Sequence, residues 1–408
     1  MAKKKNHGTG IEWTHIPGYK GETWNPIVGC SKISPACEHC YAEARAVRLA
    51  SIPKTSYYAE TIKNGKWSGK MVFVEHLLDK PLHWKKPRVI FVGSMTDIFH
   101  ESVPDESIDR IMAVAAAAPQ HIFIFLTKRA DRMHRYFAEW GKPYASSLDK
   151  VHFYGADELG SDMVKCASPA LPAHLPLPLP NVWLGVTAEN QDQVDARIPF
   201  LLQTPAAKRF ISVEPMLEKV DIGMSIAECS CCGRWPSRWV RLRRPVVSDL
   251  PLIKPGGAVY ADVGLYRAES NAHGALSVLT PRGKLGIKPS EFECLPKLDW
   301  VICGGESGGK ARPMHPEWTR SLRDQCEIAQ IPFFFKQWGE WFPRDQWECN
   351  PELILPDDDI AHVHNPGAGT YIFKDGADVY PMHRVGKNAA GDLLDGCLCK
   401  EFPAGGKS

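Results

Sequence analysis

The chain has 408 residues, 44% hydrophobic and 24% charged, which suits a soluble protein with one large domain carrying insertions or two ordinary domains. Lys and Arg total 49 against 47 for Asp and Glu, so overall charge selects no polyanionic partner, and no run of about 18 apolar residues suits a membrane span. The opening Met1-Ala-Lys-Lys-Lys lacks the apolar stretch of an export signal. Thirteen cysteines are therefore expected in a cytoplasmic, reducing setting, where paired spacings suggest metal ligands rather than a disulfide scaffold.

Along the chain, a short strand-like run from Thr23 passes into three cysteines, Cys30, Cys37 and Cys40, spaced C-x6-C-x2-C, with a helix expected over Glu38–Ala50. Short apolar runs follow at Val89–Gly93, Ile122–Leu126, Val182–Val186, Arg209–Val213, Trp300–Cys303 and Ile331–Phe335. None alternates strictly, as strands buried on both faces of a parallel sheet would not. Helical stripes follow several of them. Pro104–Ala118 carries Ile108, Ile111, Met112 and Ala115. Ala130–Trp140 carries Met133, Phe137 and Trp140, and His315–Gln330 carries Trp318, Leu322 and Cys326. Such strand–helix units predict an α/β fold, a partial or full parallel (β/α) barrel, with an open doubly wound sheet as the other arrangement they allow.

Three stretches break the pattern. Residues 141–181 include five prolines in the thirteen residues Ser168–Pro180, an extended linker. Residues 223–295 are rich in Cys and Arg and read as an inserted subdomain, and residues 340–408 read as a loop-rich tail packing on the core. The barrel is thus expected from residues 1–222 and 296–339.

Three thiolates that hold a 4Fe–4S cluster leave one iron without a protein ligand, open to a small molecule. A helix starting at the last cysteine favours the anionic cluster. The plainer alternatives are a structural zinc completed by His39 or His15, and a disulfide. A second group, Cys229, Cys231 and Cys232 with Cys294, suits a zinc site, with Cys166 and His273 as further candidates. An auxiliary iron–sulfur cluster or unligated thiols are the other readings. Beside it, Arg234, Arg238, Arg241, Arg243 and Arg244 interleave with Trp235 and Trp239, as suits stacking on bases and pairing with phosphates, or simply a solvated basic face. Cys303 and Cys326 read as core, Cys397 and Cys399 as unligated.

The three-cysteine motif occurs with Ile11-Glu-Trp-Thr14, Thr23-Trp-Asn-Pro26, Gly93-Ser-Met-Thr-Asp97, Leu126-Thr-Lys-Arg129, Ile211-Ser-Val-Glu-Pro215, Cys303-Gly-Gly-Glu-Ser307 and Phe334-Phe-Lys-Gln-Trp-Gly339. In that order these resemble a phage- and prophage-associated family of three-cysteine proteins, related to radical S-adenosylmethionine (SAM) enzymes and of unknown function. The wider superfamily uses C-x3-C-x2-C with an aromatic residue before the last cysteine, whereas here the first gap is six and His39 precedes Cys40.

The resemblance implies a barrel of the radical SAM type, with SAM chelating the open iron and a reduced cluster cleaving it to a 5′-deoxyadenosyl radical. It also implies a reductant such as flavodoxin or ferredoxin. In parallel barrels function gathers at the carboxyl ends of the strands, where each run here ends in polar groups. Ser94 and Asp97 are expected at the SAM ammonium, and Lys128 and Arg129 at its carboxylate or at a substrate phosphate. Glu189 and Asn190 are expected at the ribose hydroxyls, and Tyr41 beside the cofactor. Glu214, Glu306 and Lys336 are expected to face the substrate as catalytic groups. The substrate is open, with a tilt toward a nucleic acid or nucleotide. The competing functions are a non-catalytic, zinc-stabilised nucleic-acid-binding protein and an iron–sulfur Lewis acid that does not use SAM.

Overall fold

The computed structural model describes residues 8–139, 178–223, 239–242, 259–260, 265–270, 276–280, 283–287, 292–349, 369–375 and 378–404. Seven strands form a parallel sheet: β1 (Lys20–Trp24), β2 (Arg88–Val92), β3 (Ile122–Thr127), β4 (Val182–Thr187), β5 (Lys208–Val213), β6 (Trp300–Gly304) and β7 (Phe333–Gln337). Each strand pairs with the next in sequence. A doubly wound sheet reverses its order partway. This one winds in a single direction and curls into a half-barrel.

Alternate residues of every strand face opposite sides, and both sides are buried. Toward the inside, Phe91, Ile124, Trp183, Phe210, Ile302 and Phe334 surround Trp300. A short 3-10 turn, Glu12–Thr14, drops Trp13 into the same cluster, its ring centre 4.9 Å from Phe91 and 6.3 Å from Trp300. Gly185 makes room here, since a Cβ on it would sit 2.3 Å from the Phe210 ring. Toward the outside, Ile90, Phe123, Phe125, Leu184, Val213 and Val301 pack under helices. These include α2 (Asp105–Ala117), α3 (Ala130–Glu139), α4 (Gln191–Gln203) and α5 (Pro316–Ile328), while α1 (Tyr41–Ala50) follows the cysteine loop. Burial on both faces is why the strands read as unbroken apolar runs.

The differences from expectation have local causes. α1 begins at Tyr41, not Glu38, because Pro35–Cys37 forms a 3-10 turn and Cys40 takes the extended N-cap conformation. β7 begins at Phe333, not Ile331, because Pro332 has no N–H and the Ile331 N–H donates to the Cys326 carbonyl instead. α4 was not expected at all.

Between β5 and β6, Trp239–Leu242, Val259–Tyr260, Leu265–Ser270, Leu276–Thr280, Gly283–Ile287 and Phe292–Cys294 join in one antiparallel sheet. Cys294 is in its last strand, whereas Cys229, Cys231 and Cys232 lie outside the described residues, as do residues 141–177. The expected second metal site therefore has no structural account.

After β7, Trp341–Pro343, Thr370–Asp375 and Asp378–Arg384 make a small antiparallel sheet. The chain then returns along β7, with Phe335 N–H donating to the Cys399 carbonyl at 2.7 Å and Glu401 N–H to the Phe333 carbonyl at 3.1 Å. That covers an edge which would otherwise offer unpaired backbone groups. Among the described residues, no helix is long and apolar enough to cross a membrane.

Candidate functional site

The inward alternation that builds the aromatic floor continues past it. Two residues beyond Leu126 comes Lys128, and beyond Phe334 comes Lys336. Gly185 leads to Thr187, and Phe210 to Ser212 and Glu214. All five polar residues line a cavity of ≈ 440 Å³ at the carboxyl ends of the strands. A change from apolar to polar on one face of a strand thus makes a pocket over a dry floor.

Cys30, Cys37 and Cys40 line the same cavity from the loop between β1 and α1. All three are partly buried and free. Burial and the Asp97 carboxylate push the Cys30 thiol up to about 12, against the pull of Arg129. Without a bound cation that thiol keeps its proton.

Charged groups at the strand ends hold this loop from three sides. After β3, Arg129 is 3% exposed and pairs with Asp97 at 3.0 Å and Glu101 at 2.8 Å. Its Nη2 donates to Ser31 Oγ at 2.8 Å, and His100 Nε2 lies 2.8 Å from that same oxygen. Burial, then the Arg129 charge, lower the His100 pKa and favour the neutral ring. After β4, Glu189 pairs with Arg197 at 2.9 Å and accepts the Ala36 N–H at 3.3 Å. Burial alone would raise the Glu189 carboxyl. The charges of Arg197 and Lys128 and a hydrogen bond from Ser34 hold it below the usual range.

After β6, Glu306 pairs with Arg312 at 2.7 Å and meets His39 Nδ1 at 3.2 Å. Burial again opposes its charge, but Arg312 and His39 outweigh it and lower the carboxyl's pKa. Arg312 then reaches the loop itself, donating to the Pro35 carbonyl at 3.1 Å and to Glu38 at 3.2 Å. Gly305 allows the strand end to pass close by, since a Cβ there would lie 1.9 Å from the Trp338 carbonyl oxygen.

The structure thus gathers Ser94, Asp97, Lys128, Arg129, Glu214, Glu306, Lys336, Tyr41 and the three cysteines around one cavity. It gives several of them other work than expected. Glu189 and Asn190, expected at ribose hydroxyls, do not line the cavity. Glu189 is fully buried under the cysteine loop, and Asn190 caps α4 by accepting the Gln193 N–H at 3.0 Å. Asp97 has no oxygen to spare for an ammonium, because it accepts from Thr127, Phe99, Lys128 and Arg129. Arg129 and Glu306 are likewise committed to clamping.

Ser94 exchanges hydrogen bonds with Asn25, and Tyr41 donates to the Ser94 carbonyl at 2.8 Å. Glu214 and Lys336 form an ion pair that faces the cavity. Thr187 and Ser212 line the cavity without having been expected there, though counting in twos along β4 and β5 finds both. Arg312 and His100 lie in loops where no periodicity marks them.

Among the described residues, those that could hold a metal group at this cavity are the three thiols. Among the described residues, no three His, Cys, Asp or Glu side chains converge on a single ion as they stand. A family model described as Protein of unknown function (DUF5131) matches residues 8–403. No curated protein and no solved structure matches the chain.

Proposed function

The chain belongs to the DUF5131 family of proteins of unknown function, and from its site we propose that it is an iron–sulfur enzyme of the radical SAM type. The observation that carries the reading is the convergence of three free thiols on one cavity at the strand ends, on a loop fixed by buried ion pairs. A polynuclear cluster takes one thiolate per iron, so its ligands stand farther apart than those of one ion. Cys30, Cys37 and Cys40 would hold a 4Fe–4S cluster, leaving one iron without a protein ligand. When bound and reduced, the cluster supplies the electron that cleaves SAM to methionine and a 5′-deoxyadenosyl radical.

The chain's own residues orient and shelter that chemistry. Arg129, Glu189 and Arg312 fix the loop, and Ser94 lines the cavity with the thiols, where SAM would lie. The aromatic floor around Trp300 closes the inner end of the half-barrel against water. Glu214 and Lys336, an acid–base pair on the cavity wall, can exchange a proton with the substrate.

The test is anaerobic reconstitution with iron and sulfide, followed by dithionite and SAM. Formation of 5′-deoxyadenosine is expected. A reconstituted cluster that never yields it would remove SAM cleavage and leave the open iron as a Lewis acid.

A further inference from the structure

Among the described residues, two cations and one acceptor on the cavity wall have no side-chain partner. Lys128 and Lys387 both line the cavity, and among the described residues neither makes an ion pair. Lys128 feels the charge of Glu189 without pairing to it. Gln337 is 3% exposed and lines the same cavity, with Nε2 donating to Ser307 Oγ at 3.1 Å and Oε1 left without a partner. A buried amide oxygen without a donor is costly to the fold, so a ligand N–H that reaches it as the side chain adjusts would recover that loss. Tyr41 lines the cavity while 59% exposed, and leaves an aromatic surface open.

These features ask for one ligand with three properties: negative charge for two ammonium groups, an N–H donor for Gln337, and a flat ring for the aromatic wall. SAM meets the last two but carries a sulfonium and an ammonium against one carboxylate, so two unpaired lysines disfavour it. We infer that the cavity also holds the substrate and that the substrate is a nucleoside phosphate, free or as a unit of a single strand. The inference deepens the proposed function and rests on it for the reaction, but not for binding.

The experiment is equilibrium binding of AMP, GMP, CMP and UMP to the reconstituted protein and to the same protein without its cluster, with inorganic phosphate and a single-stranded nonanucleotide as competitors. At least one mononucleotide is expected to bind and to be displaced by phosphate. Lys128→Met and Lys387→Met are each expected to weaken it about tenfold. Gln337→Leu should weaken the nucleotide while sparing phosphate, which separates lost recognition from misfolding. Stronger competition by the nonanucleotide supports the same site filled by a polymer. No binding of any mononucleotide or of the nonanucleotide, or unchanged affinity in the doubly substituted lysine variant, would overturn the inference. A brown protein that binds no nucleotide defeats this inference alone. A colourless zinc protein that binds one defeats the iron–sulfur reading alone.

Discussion

The Glu189 carboxylate accepts a hydrogen bond from the Ala36 N–H at 3.3 Å, although 153 residues separate them. The contact joins the end of a central strand to the loop that carries all three clustered cysteines, and the charges of Arg197 and Lys128 keep Glu189 ionised against its burial.

That pairing makes Glu189 hard to replace. Glu189→Ala leaves Arg197 buried and unpaired, which costs roughly 3–5 kcal/mol. Urea unfolding should show a loss of that size, with a smaller one for Glu189→Gln, which keeps an acceptor. A loss under about 1 kcal/mol for the alanine variant would mean that the clamp does not bear on stability.

Arg312 acts on the loop more than on the fold, since its guanidinium is partly exposed and spans Glu306, Pro35 and Glu38. Arg312→Ala should lower the iron retained after anaerobic gel filtration several-fold while the melting temperature moves little. Full iron retention would show that the other two clamps suffice.

Acid sensitivity is expected at Asp395. Partial burial disfavours its charge, but hydrogen bonds from Arg320, Gln346 and Arg323 prevail and hold the carboxyl at about 2. A carboxyl held below its unfolded value of about 4 stabilises the fold above that pH, and the contribution fades as pH falls through about 2. Asp395→Asn should therefore be less stable than the parent at pH 7, with the gap closing toward pH 2. A gap that stays constant with pH would assign the loss to packing instead.

The interior leaves no space at Gly185. In Gly185→Ala the new Cβ would meet the Phe210 ring at 2.3 Å, and overpacking of this kind costs roughly 1–3 kcal/mol. Thermal unfolding should show a lowered midpoint; an unchanged one would mean that the aromatic floor yields.

Much of this architecture can be read from the chain. Phe91, Ile124 and Phe210 fall in apolar runs whose lack of alternation reports burial on both faces, and the polar residues just beyond those runs do gather at one cavity. α4 escaped because Pro199 interrupts its pattern, although Asn190 as cap and Val194, Ile198 and Leu201 as buried stripe were there to count. The roles of Asp97, Glu189 and Arg129 escaped for a different reason. Spacing shows that a charge stands at a strand end, but whether it faces a ligand or another side chain depends on where a distant loop folds back. Arg312 is the clearest case, since nothing local ties it to Pro35.

The most direct test is the metal content of the full chain purified without oxygen. Iron and acid-labile sulfide in equal amounts are expected, with a brown colour that Cys37→Ala abolishes. Zinc alone at Cys30, Cys37 and Cys40, or an alanine variant that keeps its full iron and sulfide, would contradict the account.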